Sequence, residues 1–171
     1  MTSAKNPRRS AKSAGGDALG ADQAAFTAHV PVRWSDMDAF GHINHARLVT
    51  LMEEARVQWL LSATGAGNEA SGPDDVAEYA PLIKSAMIVH VEIRFQRQLR
   101  HDDSPLRVDM WITGHRSVDF TIGYEIRAAG EDTTVKPACV ASTQMAVVDV
   151  EAHTLRRLTP TEKAYLTGWS H

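Results

Sequence analysis

From Phe26 to Trp34 the chain alternates: Ala28, Val30, Val32 and Trp34 are separated by Thr27, His29, Pro31 and Arg33. A period of two predicts a strand with one buried face. Pro31 has no N–H for a ladder, which points to a sheet edge or a bulge. From Ser35 to Asn44 the pattern breaks into a polar, irregular loop. Then the period lengthens. Leu48, Leu51/Met52, Ala55 and Trp59 fall on one helical face, with Arg47, Glu54, Arg56 and Gln58 elsewhere on the wheel. That spacing predicts a helix over 45–62. Asn44 is its N-cap, because an Asn side-chain oxygen accepts from an early helical N–H. Gly65 and Gly67 supply the stop.

Residues 65–79 read as a Gly/Asp/Glu-rich loop, with Pro73 and Pro81 as breakers. Four strand patterns follow. Met87, Val89, Val91, Ile93 and Phe95 alternate with Ile88, His90, Glu92, Arg94 and Gln96; Leu106, Val108, Met110 and Ile112 with Arg107, Asp109, Trp111 and Thr113; and Phe120, Ile122, Tyr124 and Ile126 with Thr121, Gly123, Glu125 and Arg127. Residues 138–150 are apolar on both faces, which suits a central strand. Short polar turns between these strands predict an antiparallel meander. A short helix over 160–166, capped by Thr159, closes the pattern. One long helix against one face of a curled antiparallel sheet is an α+β arrangement.

Composition narrows this picture. The chain has 171 residues, 43% hydrophobic and 23% charged, which is ordinary for a globular domain. Residues 1–25 differ: Lys5, Arg8, Arg9 and Lys12 sit among Ser, Ala and Gly without any apolar period. Such a stretch cannot offset the entropy of ordering, so the reading is a disordered tail on a single domain at 26–171. It has no apolar h-region and is not read as a secretory signal. The formal net charge is −3. Removing the tail's four basic residues from the 18 leaves 14 against 21 acidic ones, a charge of −7 with both tail aspartates counted. An acidic body argues against a nucleic-acid binder. No apolar run approaches the roughly 20 residues of a membrane span. Cys139 is the only cysteine, so an intramolecular disulfide or CxxC site is excluded, and a cytoplasmic setting fits.

The candidate chemistry lies in Arg33-Trp34-Ser35-Asp36-Met37-Asp38-Ala39-Phe40-Gly41-His42-Ile43-Asn44-His45, followed by Met52-Glu53-Glu54-Ala55-Arg56. The D-x-D-x-x-G pattern and the hydrophobic/Asn/His stretch opening a helix resemble the hotdog-fold acyl-CoA thioesterases, in the branch typified by 4-hydroxybenzoyl-CoA thioesterase. The resemblance implies a hotdog fold over residues 26 to about 150. It implies that Asp38 is the catalytic carboxylate and that the His45 backbone N–H, at the start of the helix beside Asn44, polarises the thioester carbonyl. It also implies contacts with substrate around Gly41 and His42, and at Arg116-Ser117, which sits in a turn like one that touches coenzyme A in relatives. No metal or redox cofactor is needed, since coenzyme A is part of the substrate. A homodimer or a dimer of dimers is expected, with the site between subunits.

The physics supports those roles independently. Thioester hydrolysis builds negative charge on the carbonyl oxygen, and an N–H at a helix N-terminus is a ready donor for it. A loop carboxylate can activate water or attack the carbonyl itself. Plainer readings stand beside these. Asp36 and Asp38 are also ordinary turn residues, and Asp36 reads as a binder of loop backbone. His42 and His45 with the two aspartates have metal-ligand chemistry, but their spacing across a helix start fixes no geometry. Glu53 reads as a solvated helical residue, and Cys139 as a buried structural thiol. Two other activities fit the same residues: a non-hydrolytic acyl-CoA or acyl-carrier binding module, and a hydratase or dehydratase acting on a related thioester.

Overall fold

The computed structural model describes residues 26–63, 82 and 84–170. The tail over 1–25, the glycine stop and the loop over 65–79 lie outside them. The strands are β1 (Phe26–Val30), β2 (Ala86–Phe95), β3 (Leu106–His115), β4 (Asp119–Arg127), β5 (Cys139–Asp149) and the short β6 (Thr154–Leu155). The helices bounded within the described residues are α1 (His45–Ala63) and α2 (Pro160–Gly168). All the strand pairs are antiparallel, in the order β1-β3-β4-β5-β2, with β6 added along β5.

The meander is therefore only partly what the alternation predicts. β3, β4 and β5 are consecutive neighbours, but β2 crosses over to the far side of β5 instead of pairing with β3. The place beside β3 is taken by β1, with Phe26 opposite Met110 and Val30 opposite Leu106. Among the described residues β1 is thus an edge strand, and it ends at Val30, just before Pro31. Trp34, placed by the alternation on the buried face, lies instead in a 3-10 turn over Trp34–Asp36 and is 79% exposed. β5, apolar on both faces, does sit inside the sheet between β4 and β2.

The core forms where the helical stripe meets the inward strand face. Leu48, Leu51, Met52, Ala55 and Trp59 of α1 cluster with Val108, Met110, Ile112, Phe120, Ile122 and Ile126. Arg56, buried on α1, donates to Tyr124 Oη at 3.3 Å, which fixes this strand face as the one α1 covers. α2 is capped as expected: Thr159 Oγ1 accepts from Glu162 N–H, and Glu162 Oε2 accepts from Thr159 N–H. It closes the far end of α1, where Tyr165 stacks on Trp59 and Trp169 packs edge-on against Trp59 and Phe26.

The outward face is less simple. Its charged residues Asp109, Glu125 and Arg127 are all buried. Arg127 donates to Asp109 Oδ2 at 2.9 Å, to Glu125 Oε2 at 2.6 Å and to the Val135 carbonyl at 2.8 Å, so the loop over 128–137 folds back across them. Arg107 and Thr27 complete the coordination of Asp109. On the same face Trp111 lies across Gly123, its partner in the β3–β4 register. A Cβ on Gly123 would stand 2.6 Å from Trp111 Cε2. Gly123→Ala is expected to cost about 1–3 kcal/mol by displacing the indole. Urea denaturation checks this, and unchanged stability would mean the indole moves aside freely.

Among the described residues, no helix is long and apolar enough to cross a membrane.

Candidate active site

The loop from Trp34 to Asn44 is built by its own backbone bonds. Asp36 is buried and its Oδ2 accepts from Arg33 N–H at 2.8 Å, which is the loop-binding role read from the sequence. Its carbonyl accepts from Asn44 N–H at 2.9 Å. Met37 and Ile43 bridge as antiparallel partners, and Asp38 N–H donates to the His42 carbonyl at 2.7 Å. The segment is a small hairpin. Its tip needs Gly41, whose φ is +74°, a region that a side chain disfavours. Ile43 N–H then donates to the Leu99 carbonyl at 2.8 Å, tying the hairpin to the connection after β2.

Within this hairpin Asp38 is partly buried. Its Oδ1 accepts from Phe40 N–H at 2.8 Å and from His42 N–H at 3.1 Å. The His42 N–H is the main reason its carboxyl is held below the usual carboxylate range. Burial pushes the other way, and the Phe40 N–H and the charges of His42 and His45 add to the lowering. Asp38 is therefore ionised at neutral pH. Its Oδ2 has no hydrogen-bond partner among the described residues.

The helix start meets it there. Asn44 is the N-cap: its Oδ1 accepts from Ala46 N–H at 2.9 Å and its carbonyl from Leu48 N–H at 3.0 Å. The His45 N–H, in the first turn of α1, has no protein acceptor among the described residues. Asp38, His42, Ile43, His45 and Leu48 form one wall of a cleft of about 350 Å³, and residues 95–99 with Cys139 form the other. Asp38 and the residue that carries the unengaged helical N–H thus line one space. That pairing suits a carbonyl group: the N–H takes its oxygen and the carboxylate approaches its carbon or an attacking water.

Gly41 opens on a neighbouring cleft of about 360 Å³, which shares Asp38 and is lined by Trp34, Met37, Arg100, His101 and Asp102. Arg116 and Ser117 are placed elsewhere, in the β3–β4 turn. Arg116 makes a bidentate pair with Asp119, at 2.8 and 2.6 Å, in a cleft that shares no residue with Asp38's. The Ser117 carbonyl accepts from Leu158 N–H. Glu53 is exposed on α1, and Glu54 pairs with Arg33. Among the described residues no group of three or more His, Cys, Asp or Glu is arranged to hold a metal.

Sequence reasoning missed the wall over 95–99. Phe95 and Gln96 read as the end of a strand and Arg97 as one of several candidate cations for phosphate, and the bond from Ile43 to Leu99 has no trace in local spacing. It also placed Cys139 in the core without placing it at the cleft. Burial pushes this thiol up to about 11, with Arg97 opposing. Cys139 is therefore expected to resist alkylation by iodoacetamide at about pH 7.5 in the folded protein and to react once the chain is denatured. Stoichiometric labelling of the native protein by mass spectrometry would contradict this.

The family model of the thioesterase-like superfamily matches residues 32–166. No curated protein matches the chain by sequence. Among solved structures, one of the thioesterase superfamily from Jannaschia sp. CCS1 is 15% identical with a TM-score of 0.70, covering 90% of this chain and 98% of that one. A thioesterase from Thermus thermophilus, complexed with coenzyme A and Zn, is 18% identical with a TM-score of 0.60, covering 82% and 95%. A 1,4-dihydroxy-2-naphthoyl-CoA thioesterase from Synechocystis is 19% identical with a TM-score of 0.60, covering 83% and 95%. The curled sheet with one long helix is the hotdog fold that the motif led us to expect.

Proposed function

We propose that this chain, which belongs to the thioesterase-like superfamily, hydrolyses an acyl-CoA thioester to the free acid and coenzyme A. The observation that supports the reading is that Asp38 and His45, the first residue of α1, line the same cleft. The thioester carbonyl oxygen sits at the His45 N–H, where the helix N-terminus stabilises its growing negative charge. Asn44 holds that turn in place through its cap. Asp38 Oδ2 then acts in one of two ways. It takes a proton from water as water attacks the carbonyl carbon, or it attacks that carbon itself to give an anhydride that water opens. In both routes the C–S bond breaks and the thiol leaves as a stabilised thiolate, so no strong acid is required. The coenzyme A bound by the Thermus relative supports a CoA thioester as substrate.

A homodimer, or a dimer of dimers, fits the same picture. β2 pairs only with β5 among the described residues, and its Met87, Val89 and Phe95 are exposed large apolar residues. Phe95 also lines the cleft, so a second copy laid along β2 would cover both the strand edge and one side of the site. The lone buried thiol fits a cytoplasmic protein.

The test is thiol release from a panel of aryl-, short- and long-chain acyl-CoA thioesters. Release by the wild type supports the reading; no release from any member overturns it. Tight binding without turnover would make the chain a binding module, and hydration of an enoyl-CoA faster than cleavage would make it a hydratase.

A further inference from the structure

Three polar side chains meet in the core under α1. Arg56 of α1, Tyr124 of β4 and Thr143 of β5 are 4%, 0% and 0% exposed. They are sealed between the helix and the sheet of one chain, so their arrangement does not depend on where a second copy docks. Arg56 donates to Tyr124 Oη at 3.3 Å. Among the described residues no carboxylate lies within ion-pair distance of its guanidinium. A buried cation whose one protein acceptor is a neutral hydroxyl does not recover its cost of desolvation. Tyr124, accepting from Arg56, keeps its own proton to donate. Thr143 Oγ1 lies beside that hydroxyl, off hydrogen-bond geometry, and is a buried polar atom with no partner. A guanidinium and two hydroxyls thus converge with donors to spare and no anion among them. A carboxylate is the group that satisfies all three.

Resting on the hydrolytic reading above, we propose that Arg56, Tyr124 and Thr143 receive a carboxylate at the far end of the acyl group. The substrate is then an ω-carboxyacyl thioester, and Arg56 is its specificity-determining residue.

The helix and the sheet both lead there from the candidate active site. Leu48, Met52 and Arg56 follow at four-residue spacing, on one stripe of α1. Leu48 lines the cleft at His45. On the facing strand Cys139, which also lines that cleft, is followed on the same buried face by Ala141 and Thr143. The side chain between the cleft and Arg56 is Met52, an unbranched thioether that can change rotamer to admit a chain. The length is also set. Arg56 comes eleven residues after His45, so its Cα stands about 16 Å further along the axis. Helical side chains lean back toward the N-terminus, which shortens the gap. An extended chain advances about 1.2 Å per bond, so a carboxylate about seven bonds from the thioester carbon falls within reach.

The experiment compares octanoyl-CoA with suberyl-CoA, which differs from it only in the far carboxylate. The wild type is expected to cleave suberyl-CoA with a kcat/KM about tenfold above that for octanoyl-CoA. Arg56→Met is expected to lower this preference about 10–100-fold, and Thr143→Val about fivefold. A wild type that treats the two alike or favours octanoyl-CoA overturns the proposal, as does an unchanged preference in Arg56→Met. Since the cation is unmatched in the free protein, Arg56→Met is expected to melt no lower than the wild type. A large fall in its midpoint would show that the chain supplies its own anion, and also overturns the proposal. If the wild type cleaves no thioester, the hydrolytic reading falls, and equilibrium binding of the same two thioesters still reads the site. Tighter binding of suberyl-CoA that Arg56→Met abolishes keeps it. Equal affinity, or no binding of either, removes it.

Discussion

Asp38→Asn is expected to lower kcat for acyl-CoA cleavage by about 10³-fold while leaving the thermal unfolding midpoint close to that of the wild type. The substitution separates two jobs. Asp38 Oδ1 accepts the Phe40 and His42 N–H groups that shape the hairpin tip, and an amide oxygen at the same place accepts them too. What the amide cannot do is take a proton from water or attack a carbonyl through Oδ2. Asp38→Ala is a poorer test, because it also removes the acceptor and loosens the tip. An Asp38→Asn enzyme as active as the wild type would remove Asp38 from the chemistry. The pH profile gives a second check. Since the folded carboxyl lies below its usual range, the reactive anion persists as pH falls, and the acidic limb from this group belongs below that of an ordinary carboxylate. The same depression stabilises the folded state above the unfolded-state value, and that contribution is lost as pH falls through the folded one.

The largest stability effect is expected at Arg127. Its guanidinium is 1% exposed and holds two buried carboxylates, Asp109 and Glu125, together with the Val135 carbonyl. Removing it leaves Glu125 buried without its cation and Asp109 with Arg107 and Thr27 only. Breaking a buried ion pair from one side costs about 3–5 kcal/mol, chiefly through the charge left behind. Arg127→Met should therefore shift the urea midpoint strongly downward. Replacing Arg127, Asp109 and Glu125 together by apolar residues of similar volume should recover much of the loss. A single variant within about 1 kcal/mol of the wild type would show that water reaches the carboxylates once the arginine is gone.

These two sites differ in how far they could be read from the sequence. Asp38, Asn44 and the start of α1 were legible because their signals are local. A period of 3.6 needs only the residues from Leu48 to Trp59, and a cap needs only its own first turn. The same holds for Thr159 and Glu162. The Arg127 cluster was not legible. Asp109, Glu125 and Arg127 occupy the polar positions of alternating strands and read as solvent-facing, but a loop folded over them buries that face. The place of β2 was hidden for a related reason. Alternation gives a strand its two faces but does not name its neighbour, and β2 pairs with a strand that follows two others in the chain. The wall over 95–99 depends on that pairing, so the cleft could not be drawn from the motif alone.

The hydrogen bond from Ile43 to Leu99 also sets an order of events in synthesis. A ribosome releases Asp38, His45 and the first turn of α1 well before the carbonyl that anchors their hairpin. Cys139 on the opposite wall comes later still, with the strand that must be in place before β2 has a partner. Contacts this distant in sequence form slowly and close large loops. A nascent chain thus carries the complete motif until β5 is made without possessing a site. On the hydrolytic reading, competence arrives only with β5, and unfinished chains cannot act on the cell's thioesters.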